Sequence, residues 1–120
     1  MTDTRQALGR WGEDLAAAYL QQHGMVILER NFRGKHGEVD IIARDGGDLV
    51  FVEVKTRRSE AFGIPQEAVN WRKRQQIIHL AEIYLQRHPS LLQPRFDVVA
   101  IMVRPHADPL VEHLPNAFTA

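Results

Sequence analysis

Two apolar runs, residues 38–44 and 49–55, flank the tetrapeptide Asp45-Gly46-Gly47-Asp48. Two-residue hairpin turns need positive φ, which glycine adopts without a Cβ penalty, so a Gly-Gly pair between such runs predicts an antiparallel hairpin. The second run, Leu49-Val50-Phe51-Val52-Glu53-Val54-Lys55, is apolar enough to be a central strand covered on both faces. Glu53 is the anomaly in it. Side chains alternate along a strand, so Glu53 and Lys55 share a face with Leu49 and Phe51, and that face begins apolar and ends charged.

The hairpin register sharpens this. With Gly46 and Gly47 as the turn, Asp45 faces Asp48, Asp40 falls opposite Glu53, and Glu38 falls opposite Lys55. A four-residue loop keeps that register, whereas a three-residue loop would set Asp40 against Val52. Opposed Cβ atoms lie about 4.5–5.5 Å apart. Two carboxylates at that distance repel, so either one binds a proton or a cation sits between them. A hard divalent ion such as Mg²⁺ (or Mn²⁺) suits one or two carboxylates completed by water and phosphate oxygens. Asp40 and Glu53 are the expected ligands. Such an ion polarises a phosphodiester and activates a water, and Lys55 is placed to orient that water or offset developing charge.

The rest of the chain predicts an α/β domain in the order α-β-β-β-α-β-β, one domain over residues 1–120. A first helix is expected over residues 4–23, capped by Asp3 or Thr4 and closed by Gly24. Leu8, Trp11, Leu15, Ala18 and Tyr19 follow the helical period and are expected to face the core. Gly9, Glu13, Ala16, Ala17 and Leu20 form the adjacent stripe. Strands are expected at residues 26–32, 96–103 and 110–114. Residues 57–64 read as a mobile loop and Pro65 as the first turn of a helical segment. A second helix runs to about His88, with a break near Asn70 and an apolar stripe of Ile77, Leu80, Ala81, Tyr84 and Leu85.

Composition excludes several chemistries. There is no cysteine, hence no disulfide, thiolate metal site or cysteine nucleophile. The six histidines show no zinc spacing and read as surface or packing residues. No apolar run approaches the roughly 20 residues that span a bilayer, and residues 1–10 are polar, so a cytoplasmic protein with no membrane partner is expected. Fifteen basic residues balance fifteen acidic ones. Neutrality argues mildly against a nucleic-acid binder, but the basic residues cluster: Arg30, Arg33 and Lys35, then Lys55, Arg57 and Arg58, then Arg72, Lys73 and Arg74. Arg33 with Asn31, Arg57, and Arg72 and Lys73 beside Trp71 are the candidate nucleic-acid contacts. The bland alternative for the last group is a solvated helix face with a core tryptophan. Asp97 interrupts an apolar strand and reads as a hydrogen-bonded structural acid rather than a further ligand.

An Asp, a hairpin and then Glu-x-Lys at the end of the next strand resembles the motif of restriction-endonuclease-like nucleases. Here it stands as Gly37-Glu38-Val39-Asp40 and Glu53-Val54-Lys55, with Val39 where many members have proline. Gly12-Glu13, Asn31-Phe32-Arg33, Phe62-Gly63, Arg95-Phe96-Asp97 and Asn116-Ala117-Phe118 resemble the small bacterial YraN-type family of predicted endonucleases over nearly the whole chain. That family is similar to the Holliday-junction resolvases. The resemblance implies a restriction-endonuclease-like fold and Glu13 as a further catalytic and metal-site acid. It also implies metal-dependent hydrolysis of DNA, with branched or damaged DNA as the substrate to test. A non-cleaving nucleic-acid-binding module, docking on a recombination or DNA-uptake protein, is the alternative. A structural protein with a proton-shared acid pair is a second. RNA shares the phosphorus chemistry. A nuclease of this size that cuts both strands is expected to work as a symmetric homodimer.

Overall fold

A computed structural model describes residues 4–58 and 69–120. The elements are α1 (Thr4–Gln22), β1 (Val26–Gly34), β2 (Gly37–Asp45), β3 (Asp48–Arg57), α2 (Trp71–Arg87), β4 (Gln93–Met102) and β5 (Leu110–Phe118). The five strands form one mixed sheet in sequence order. β3 and β4 pair in parallel and every other neighbouring pair is antiparallel. A parallel pair requires a crossover, and α2 supplies it. The fold class is thus the expected α/β arrangement with helices on a mixed sheet. Of the loop expected over residues 57–64, Arg57 is instead the last residue of β3; residues 59–64 and Pro65 lie outside the described residues. No helix among the described residues is long and apolar enough to cross a membrane.

β3 explains the layering. Leu49 and Phe51 join α2's Ile77, Leu80, Ala81 and Tyr84 in one core cluster. Val50 and Val52 join α1's Ala16, Ala17 and Leu20 in the other. Both faces of β3 are covered, which is why its sequence is a continuous apolar run. The turn is the expected two-residue one, with Asp45 paired to Asp48 and Gly46 at φ 58°.

α1 corrects one expectation. Its buried residues are Gly12, Ala16, Ala17 and Leu20, the stripe adjacent to the predicted one. Trp11 is 41% exposed, Ala18 is exposed, and Leu8, Leu15 and Tyr19 are half-buried at the flank. The large residues have the right period but the small ones win the contact, because they let the helix axis approach the sheet. The closest approach is at Gly12, where a Cβ would collide with the Thr56 side chain. This rotation carries Glu13 to the edge of the buried face.

α2 behaves as its stripe predicts, with Ile77, Leu80, Ala81 and Tyr84 buried. Its break at Asn70 is an N-cap: the Asn70 side chain accepts the Lys73 N–H at 2.9 Å. Trp71 is not a core residue; it is 74% exposed at the helix start. β5 extends past the expected Leu114 to Phe118, where the ring stacks on Phe96 at 5.1 Å between centroids.

Asp97 is fully buried on β4, at a register shift against β5. Its Oδ1 accepts from Arg95 Nε and from the Asn116 N–H, both at 2.9 Å. Its Oδ2 accepts from a second Arg95 nitrogen at 2.9 Å and contacts His113 Nε2 at 2.7 Å. Arg95 also reaches Asp48 at 2.8 Å and Asp45 at 3.0 Å, tying β4 to the β2–β3 turn. Burial alone would raise the Asp97 pKa; the bonds from His113, Arg95 and Asn116 outweigh it and hold the carboxyl below its usual range. Asp97 is therefore the structural acid that the sequence suggested. Replacing Asp97 by Ala leaves Arg95 without its buried counter-charge and is expected to remove roughly 3–5 kcal/mol of stability. Urea denaturation measures this, and a loss below about 1 kcal/mol, the value of an ordinary exposed pair, would show that the network contributes little.

Candidate active site

The β2–β3 ladder runs from Asp45–Asp48 to Ile41–Val52, as a two-residue turn requires. It then stops, one row short of Asp40 and Glu53. Instead of continuing the backbone pairing, the Asp40 carboxylate accepts the Val54 N–H at 2.7 Å through Oδ2. On the other side β1 pairs Arg30 with Ile41 and Phe32 with Val39, which sets Asn31 across from Asp40. Asn31 has φ 55°, a left-handed conformation that asparagine tolerates better than other non-glycine residues.

Strand alternation breaks in both strands, β1 and β2, at this row. Val39 and Phe32 belong to the α2-side core, whereas Ile41 belongs to the α1-side core. Arg30 reaches the α1 side, bonding Glu13 Oε1 at 3.1 and 3.2 Å and Asp14 at 2.6 Å. Asn31 Nδ2 donates to Glu13 Oε2 at 3.0 Å. Both oxygens of Glu13 are thus held, and its side chain is 12% exposed.

Glu53 keeps the α2-side orientation of its strand and is 4% exposed. Its Oε1 faces two ammonium groups, Lys55 Nζ at 3.6 Å and Lys73 Nζ at 3.7 Å. Its Oε2 is buried without a hydrogen-bond partner among the described residues. Burial raises the Glu53 pKa, and Lys73 and Lys55 oppose the rise only in part. Burial and then the Glu53 charge push the Asp40 carboxyl up to about 8, with Glu13 and Glu38 adding to the rise and the Val54 N–H opposing it. The expected conflict between the two acids is present, although the regular cross-strand pair is not.

Asp40, Glu13 and Lys55 line a cleft of about 930 Å³ between the first half of α1 and the ends of β1–β3. Arg33 and Arg57 line it as well, and Arg33 Nε bonds Glu38 at 3.1 Å, so Glu38 does not serve as the cross-strand partner of Lys55. Glu53 does not line the cleft; its contact with it runs through Lys55, which does. Arg72 is exposed on α2 and does not line the cleft either. Lys73, expected at a nucleic-acid surface, turns inward to Glu53. The sequence carries no signal for that contact, because it joins α2 to β3 through tertiary packing alone. The clamp of Asn31 on Glu13 was also missed, although an asparagine inside a strand is a sign of unusual backbone.

The donor set fits a hard divalent cation on one observation. Glu53 Oε2 is a carboxylate oxygen with neither water access nor a donor among the described residues, near a second carboxyl whose pKa burial and charge push up to about 8. Among the described residues no group of three or more His, Asp or Glu side chains is arranged to hold a metal ion. The candidate ligands are therefore the pair Asp40 and Glu53, with Glu13 across the cleft held by Arg30 and Asn31.

Both members of the pair bind protons more tightly folded than unfolded. The unfolded chain releases the Asp40 proton near pH ~4, the folded chain near 8. The Asp40 contribution to stability in chelator is therefore expected to be fullest below pH ~4, to fall as pH rises toward 8, and to level off above it, whereas Asp97, with its lowered pKa, contributes in the opposite sense at the acid end. Asp40→Asn is expected to flatten the fall and raise the melting temperature at pH 8. Thermal melts between pH 5 and 9 test this; an unchanged slope in the variant would remove the assignment to Asp40.

Residues 12–101 match the family model described as "Uncharacterised protein family UPF0102". A UPF0102 protein of Syntrophotalea carbinolica is 54% identical over 119 residues, covering 98% of this chain and 96% of its own. One from Geotalea uraniireducens is 54% identical over 114 residues, covering 94% and 90%. One from Rhodococcus opacus is 52% identical over 115 residues, covering 93% and 96%.

Proposed function

The chain belongs to the UPF0102 family, and from that premise we propose that it is a metal-dependent nuclease of the restriction-endonuclease-like kind, hydrolysing phosphodiester bonds in DNA. The observation that carries the reading is the buried, partnerless Oε2 of Glu53 next to Asp40, at the row where β2 and β3 part and open onto a cleft rich in arginine. Asp40 and Glu53 would hold Mg²⁺ or Mn²⁺. When bound, the ion supplies positive charge at the scissile phosphate and makes a water acidic enough to attack.

The chain's own groups do the rest. Lys55 holds Glu53 Oε1 from the cleft side, where its ammonium can donate to a phosphate oxygen and offset charge that grows during attack. Lys73 balances the same oxygen from α2. Glu13 presents a fixed carboxylate from the opposite wall, restrained by Arg30 and Asn31. Arg33 and Arg57 add positive charge for the flanking phosphates. A second reading, a nucleic-acid-binding module that does not cut, is favoured by one observation. Both Glu13 oxygens and one Glu53 oxygen are already balanced by the protein's own donors. In that case a recombination or DNA-uptake protein is the partner class to seek. A homodimer is the assembly that would cut both strands.

The test is incubation with labelled four-way junction, flap, single-stranded and linear duplex DNA, in Mg²⁺, Mn²⁺ or chelator. Cleavage is expected to require the metal and to fall by about 10²-fold or more in Glu53→Ala and in Lys55→Ala. Mg²⁺ is also expected to raise the melting temperature of the parent protein but not of Glu53→Ala, since an ion that binds only the native state stabilises it. Cleavage surviving both substitutions would remove these residues from the chemistry. Binding without cleavage would select the second reading.

A further inference from the structure

α1 carries two glycines three residues apart, Gly9 and Gly12, and among the described residues only Gly12 is required by packing. Gly12 allows the helix to approach β3, since a Cβ there would collide with Thr56. Gly9, one turn earlier, has no such reason: a Cβ would meet nothing within 4 Å among the described residues. Its φ is not positive either. Close packing and positive φ are the two internal demands that glycine alone meets, and among the described residues neither applies. Glycine is also the poorest helix former after proline, so its place in the interior of α1 works against the helix.

Gly9 lines the cleft that holds Asp40 and Lys55. Six cationic side chains line it too: Arg5, Arg10, Arg33, Lys55, Arg57 and Arg58. Three carboxylates face them there, Glu13, Glu38 and Asp40, although the whole chain is balanced at fifteen against fifteen. The cleft thus concentrates positive charge in a neutral protein, and bare helix backbone forms part of its wall between Arg5 and Arg10.

We infer that the face of α1 at Gly9 is the seat of a polynucleotide strand, whose sugar–phosphate backbone comes within van der Waals distance of the helix backbone there. The missing Cβ permits the approach, and Arg5 and Arg10 flank it to meet the phosphates on either side. The inference rests on the phosphodiester reading above and adds the wall against which the strand lies. That wall and Lys55 line the same cleft, so a strand seated on it shares the cleft with Asp40 and Lys55.

The experiment uses fluorescence anisotropy with labelled single-stranded and duplex oligonucleotides in chelator, so that binding is read without cleavage. Gly9→Ala and Gly9→Arg are compared with the parent protein, and each is melted first. Both residues are better helix formers, so both variants are expected to melt at or above the parent temperature. Affinity is expected to move the opposite way. Gly9→Ala weakens binding about threefold and Gly9→Arg about tenfold, the latter despite its added positive charge, as forfeiting one well-made contact requires. Arginine is the discriminating choice. If the strand only passes through the field of the cleft, an extra cation tightens binding, and equal or tighter binding by Gly9→Arg overturns the inference while leaving the nuclease reading intact. A lower melting temperature in Gly9→Ala overturns it by showing that the fold itself needs the glycine. If the parent protein binds no oligonucleotide but binds labelled poly-glutamate, the cleft is a surface for an acidic protein, and both this inference and the nuclease reading fall.

Discussion

A carboxylate buried at the end of a central strand sets the terms for everything around it. Glu53 cannot be left alone in an apolar layer, because an unpaired buried charge is among the largest penalties a fold can carry. Two lysines answer it on one oxygen and, among the described residues, nothing answers it on the other. Each lysine comes from a different element, so β3 and α2 are tied together at the site by the charge they share. Burial raises the pKa of Glu53, and burial together with the Glu53 charge raises that of Asp40. Both acids therefore hold a proton more tightly in the fold than a free carboxyl does.

The comparison with Asp97 shows that burial alone does not produce this state. Asp97 is as buried as Glu53, yet both of its oxygens have partners and its pKa is lowered. One acid is stabilised by the fold and knits β4 and β5 to the hairpin turn. The other is left incompletely satisfied beside Lys55, which lines the cleft. In a small protein with few buried charges, that difference separates a structural network from a candidate active site.

The site also depends on a fault in the sheet. Asn31 in β1 and Asp40 in β2 occupy one row, and strand alternation fails in both strands there. The fault turns Arg30 toward α1 and frees the Asp40 carboxylate to take the Val54 N–H where a backbone carbonyl would otherwise stand. α1 must lie close for Glu13 to be reached from Arg30 and Asn31. Gly12, against Thr56, is what lets it lie close. The small stripe on α1 and the left-handed asparagine are thus two parts of one arrangement.

Much of this was legible in the residues. The hairpin, its two-residue turn, the central strand, the order of elements and the special standing of Asp40, Glu53 and Lys55 all follow from local rules: turn chemistry, a period of two, and the penalty for buried charge. Asp97 as a structural acid followed from the same penalty. What the sequence left open depends on contacts between elements distant along the chain. Periodicity marks an apolar face on α1 but cannot say whether large or small side chains make the contact, since that is decided by how near the sheet can come. A register counted from a turn assumes an unbroken ladder, and the break at Asn31 and Asp40 arises from the packing of two strands against two different helices. Lys73 looked like surface charge because nothing local shows that α2 points it at Glu53. Local chemistry determined which residues would be strained by burial; only the tertiary structure decided which of them would find a partner, because partners come from whichever elements the packing brings alongside.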